Sequence, residues 1–93
     1  MNEEKKRFYL ERLKSHVLGR LRGDASLGMD FDGLLEVYAA SGVAISTLKR
    51  IFLKDRSNPR YFPSAGTLHK LARFSGYENW NEFVREVYTR QSA

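Results

Sequence analysis

Between residues 46 and 60 the chain sets the hydroxyls of Ser46 and Thr47 close to five cations, Lys49, Arg50, Lys54, Arg56 and Arg60. Only Asp55 opposes them. Hydroxyls donate and accept hydrogen bonds, ammonium groups attract anions, and the planar guanidinium fork grips two acceptors at once. Such a set suits a surface that neutralises phosphate and reads the paired acceptors on a base edge. The bland reading is solvated surface, where most Lys and Arg reside. Ser46 precedes an apolar-periodic run and is predicted to cap a helix there. Thr47 fits either a cap or a contact.

Other chemistry finds little support. The chain has no cysteine, which excludes disulfides and thiolate metal sites. His16 and His69 stand far apart and lack metal-ligand company. Asp24, Asp30, Asp32 and Glu36 form an acidic stretch, but Asp30 is better placed as a helix cap, with its neighbours near the same N-terminus. No Ser/His/Asp set, phosphate-cradling glycine loop or metal spacing is visible. The expectation is therefore a protein that is not an enzyme, with no catalytic residue, metal or cofactor. A cysteine-free composition suits the reducing cytoplasm. No apolar run approaches the roughly 20 residues that span a bilayer, and no secretory segment follows the charged start.

Charge is unevenly spread over the 93 residues, which carry a net +5. Residues 44–73 hold seven bases against one acid, and residues 1–22 hold seven against three. Residues 23–43 hold four acids and no base. The cationic field is thus concentrated on two segments, as a polyanion binder requires.

Helical elements must position these groups. Leu10, Leu13, Val17 and Leu21 recur at helical spacing and predict an N-terminal helix within 1–22, stopped by Gly23. Asp30 is the expected cap of a second helix, whose apolar stripe reads Phe31, Leu34, Leu35 and Tyr38, with Gly42 as its stop. A third, short helix follows Ser46 to about Leu53, with Leu48, Ile51 and Phe52 on one face. Residues 55–63 read as a loop in which Tyr61 and Phe62 could stack on bases but fit better as a latch onto the core. Ser64 caps a fourth helix built on Leu68, Leu71, Ala72 and Phe74, and Gly76 ends it. Asn79 and Glu82 make a capping-box-like pair for a fifth, which carries Trp80, Phe83, Val84, Val87 and Tyr88. No stretch alternates with period two, so no sheet is expected. The prediction is an all-α, compact single domain of about five helices. Its parts are the N-terminal helix (1–22), a central helix-turn-helix (30–53) and the C-terminal helices (64–90).

The informative stretch is LLEVYAASGVAISTLKRIF, residues 34–52. An amphipathic helix, a Gly-Val turn and a second short helix follow one another directly. Gly42 permits the tight turn, Val43 can plug the corner, and Leu48 and Ile51 hold the second helix inward. Ser46, Thr47, Lys49 and Arg50 are left outward, where a helix in a major groove needs them.

Gly42, Thr47, Leu48 and Ile51 stand at the spacing of the Cro/phage-repressor (Xre-like) helix-turn-helix, which this stretch resembles. The segment PSAGTLHKLARFSGY (63–77) looks like the next helix of that family. More closely, ISTLKRIF, TLHKLARFSGY and ENWNEFVREV together resemble a bacterial module at the start of regulators, over residues 31–87. The resemblance implies a repressor-like fold that binds double-stranded DNA sequence-specifically in transcription regulation. It implies contacts from Ser46, Thr47, Lys49 and Arg50, with Lys54, Arg56 and Arg60 on phosphate. A homodimer or additional domains would supply affinity, since one such unit spans few base pairs. One departure stands out: the residue four before the turn glycine, usually small, is Tyr38. Either the helices cross differently, or the register shifts so that an alanine fills the contact. The competing reading is a helical protein–protein interaction module that keeps the frame without reading DNA. Lys70 and Arg73 are expected to be peripheral, and Lys5, Lys6 and Arg7 could form an arm on DNA but fit better as a frayed terminus with no role.

Overall fold

The computed structural model describes residues 3–23, 29–53 and 62–92. Among them are five helices and no strand: α1 (Glu3–Arg22), α2 (Phe31–Ser41), α3 (Ile45–Phe52), α4 (Ala65–Phe74) and α5 (Trp80–Ser92). The protein is an all-α single domain. Helix α4 is the hub, packing against α1, α2 and α5, while α1 also touches α5 and α3 leans on α2. One continuous core joins them, led by Leu13, Leu34, Leu48, Leu71 and Phe83.

Local chemistry explains most boundaries. Asp30 accepts from the Gly33 amide at 2.7 Å, so the predicted cap of α2 is the observed one. Ser64 accepts from the Thr67 amide and caps α4. Asn79 accepts from the Glu82 amide at 2.8 Å at the start of α5. Gly42 ends α2 in the left-handed region with φ 80°, its amide bonded to the Tyr38 carbonyl. A side chain there would meet its own backbone, which glycine avoids.

Four expectations need correction. The cap of α3 is Ala44, not Ser46, and it makes no side-chain bond. Ser46 is the second residue of the helix. The early start seats Val43 and Leu48, 3% and 0% exposed, in the core. Burying such residues contributes about 1.5–3 kcal/mol each, more than the ~1 kcal/mol of a good cap.

The inward face of α2 is also not the expected stripe. Leu34 and Val37 are buried, but Phe31, Leu35 and Tyr38 are 58%, 40% and 48% exposed. The helix offers two overlapping apolar stripes and can turn in only one. Gly33 favours the observed one by close approach: a Cβ there would lie 2.7 Å from Met29 Sδ and 3.6 Å from Leu21 Cδ1. Val37 takes the buried place beside the exposed Tyr38, and Ala39 and Ala40 remain exposed, so no alanine is buried there.

Lys5, Lys6 and Arg7 are helical residues of α1 rather than a frayed end. Lys6 lies 5.9 Å from the Phe62 ring centroid, and Phe62 itself packs on the core as the expected latch. Tyr61 lies outside the described residues. On α5, Phe83 and Val87 are buried as expected, whereas Tyr88 is largely exposed.

Candidate functional site

Helix α3 presents two faces. Leu48 and Ile51 are buried against α2 and the core, and Phe52 is half-buried. Ser46, Lys49 and Arg50 are exposed and Thr47 is half-exposed. The structure thus brings four of the seven predicted site residues onto one eight-residue helix. Lys54, Arg56 and Arg60 lie outside the described residues. Lys49 and Arg50 occupy the last turn of α3, where cations also favour the helix dipole. Because Ala44 caps without a side chain, the Ser46 hydroxyl has no capping duty and stands on the surface.

The two histidines do structural work. His69 Nδ1 accepts from the Trp80 amide at 3.0 Å, satisfying a donor at the start of α5 from the neighbouring helix. Sequence spacing gave no sign of this, because the partners are eleven residues apart. His16 packs edge-on against Tyr77 and Phe83, with ring centroids 5.8 and 5.3 Å away. Burial holds its imidazole below the ordinary value, and the positive charges of Arg12 and Arg90 push the same way. Among the described residues, no cluster of three or more His, Asp or Glu could hold a metal ion. No helix there is long and apolar enough to cross a membrane.

A feature missed in the sequence is a basic groove that no residue of α3 lines. Arg20 from α1 meets Lys70 and Arg73 from α4 beside Ala40 and Ser41 at the end of α2. The two segments are some fifty residues apart in sequence, so no local pattern announces the cluster.

No protein-family model matches the chain, and neither does a curated protein or a solved structure.

Proposed function

We propose that the protein binds double-stranded DNA sequence-specifically, as a transcriptional regulator or its DNA-binding domain, with α2 and α3 as a repressor-like helix-turn-helix. The observation that carries this reading is the division of α3. Leu48 and Ile51 pin it, so Ser46, Lys49 and Arg50 face outward on a helix that follows α2 after three residues. In this reading Arg50 pairs with the O6 and N7 acceptors of a guanine, and Lys49 neutralises a phosphate. Ser46 and Thr47 stand near the helix start, where short polar groups reach base edges. The cytoplasm is the compartment this function implies, and a second copy or further domains would extend the short contact.

The test is fluorescence anisotropy of a random duplex library titrated at two salt concentrations, beside the Lys49→Ala/Arg50→Ala double variant. Wild type should bind and weaken steeply with salt through counterion release. The variant should lose affinity, with a salt slope reduced by about one for the phosphate contact. Absence of duplex binding at about 50 mM salt sinks the proposal, because electrostatic association is strongest at low salt.

The second reading, an interaction module that reads no DNA, is favoured by one observation. Phe31, Leu35 and Tyr38 leave an apolar stripe on the outward face of α2, as a helix-in-groove partner would require. Its sign would be a folded protein that ignores duplex in the same titration.

A further inference from the structure

The groove bounded by Arg20, Lys70 and Arg73 is an open cleft of about 470 Å³ with Ala40, Ser41 and Phe74 completing its wall. Two of its cations are held in place. The Arg20 guanidinium lies over the Phe74 ring, 5.4 Å from the centroid. Arg73 donates from Nε to the Glu78 carbonyl at 3.0 Å, a bond that uses one of its five N–H donors. The ion pairs among the described residues, Arg7–Glu3, Lys14–Glu11 and Arg90–Glu86, involve none of the three. Three positive charges therefore share one cleft without a carboxylate from the described residues.

A simpler role for them would be to offset the C-terminal dipole of α2, which has no basic residue in its own last turn. That dipole amounts to about half an elementary charge. One cation would suffice, and three leave an excess of positive charge. The Ser41 hydroxyl does not reduce it, since it donates to the Val37 carbonyl and accepts from the Val43 amide. Arg20 also borders a second open groove with Arg12, Ser15, His16 and Gly19, which extends the basic track along α1.

We infer that this groove is a binding site for a phosphate-type oxyanion, distinct from the outward face of α3. Arg20 and Arg73, oriented by ring and carbonyl, supply forked N–H donors, and Lys70 supplies a mobile point charge. The site does not depend on α3 touching DNA. Its phosphate comes either from a nucleic-acid backbone or from a free phosphorylated small molecule.

The experiment is thermal melting of the intact chain with sodium pyrophosphate, against sodium chloride of matched ionic strength. It is run on wild type, Arg20→Gln/Arg73→Gln, Lys70→Gln and Lys49→Ala/Arg50→Ala. Pyrophosphate should raise the wild-type Tm saturably beyond the chloride control. Its apparent affinity should fall about tenfold or more in the double groove variant and less in Lys70→Gln, and remain in the α3 variant. Should Arg20→Gln/Arg73→Gln fail to fold by circular dichroism, Lys70→Gln carries the test, since its side chain is exposed.

A labelled duplex then separates the sources. Weaker duplex binding in the groove variants, with competition by pyrophosphate, identifies backbone phosphate. Unchanged duplex binding beside a lost pyrophosphate response identifies a free phosphorylated ligand. Equal effects of pyrophosphate and matched chloride, with duplex binding unmoved by the groove variants, overturn the inference. So does a pyrophosphate response that survives in every groove variant.

Discussion

At the scale of single residues, a few polar atoms set where helices begin and how stability responds to pH. The Asp30 carboxylate satisfies the Gly33 amide, a donor that would otherwise be orphaned in the first turn of α2. Asp30→Ala should lower stability by about 1 kcal/mol, read as a reduced urea midpoint. His16 acts through its neutral form. Its folded value lies below the ordinary one, first because of burial and then because of Arg12 and Arg90. The unfolded chain therefore binds more protons than the native one just below the ordinary value of about 6.5. Stability should fall as pH drops through that value toward the lowered folded one, and should not gain from this group above it. In urea titrations at pH 7.5 and 5.5, His16→Gln should narrow the difference between the two midpoints. An unchanged difference would assign the pH response elsewhere.

At the scale of elements, α3 is the least secured helix. It has eight residues, leans on α2, and keeps two of them buried in the core, Leu48 and Ile51. Helix α4, by contrast, is packed by α1, α2 and α5. Native-state hydrogen exchange should open α3 at lower free energy than α4, and comparable protection in the two helices would refute this ordering. The hinge between α2 and α3 is equally testable. Gly42 has φ 80° with nothing near its Cβ position, so an alanine meets backbone strain but no neighbour. Gly42→Ala should destabilise by about 1–2 kcal/mol without moving other elements, as judged by an unchanged circular dichroism spectrum at 10 °C.

At the scale of the molecule, a small core carries all five helices. Domains of this kind are stable by about 5–15 kcal/mol in total. Leu71, fully buried on the hub helix α4, is in the core cluster that also holds residues of α1, α2, α3 and α5. Leu71→Ala should remove about 2–5 kcal/mol and lower the Tm by roughly 10 °C or more. Because the helices share one cluster, that loss should appear as a single cooperative transition at a lower temperature. A separate early transition confined to α4 and α5 would contradict the shared core. The charge pattern belongs to this scale as well. Arg20 of α1 gathers with Lys70 and Arg73 of α4 in a groove that the α3 cations do not line, so the net +5 is carried by more than one surface.

The sequence alone determined the local matters. Cap residues Asp30, Ser64 and Asn79, the stop at Gly42 and the five helical periods are written within a turn or two of chain. The outward placement of Ser46, Lys49 and Arg50 follows as well, because Leu48 and Ile51 leave no other face for them. What the tertiary structure decided involved competition or distance. Two apolar stripes on α2 competed, and in the packed molecule Gly33 makes a close approach while Leu34 and Val37 turn inward and Phe31, Leu35 and Tyr38 stay outside. The start of α3 moved to Ile45 because core burial of Val43 and Leu48 outweighs a cap. The bond from Trp80 to His69, and the meeting of Arg20 with Lys70 and Arg73, join segments that no periodicity relates. Helical periodicity shows which face of a helix is apolar. Which helix that face meets, and which cations gather beside it, depends on how all five pack.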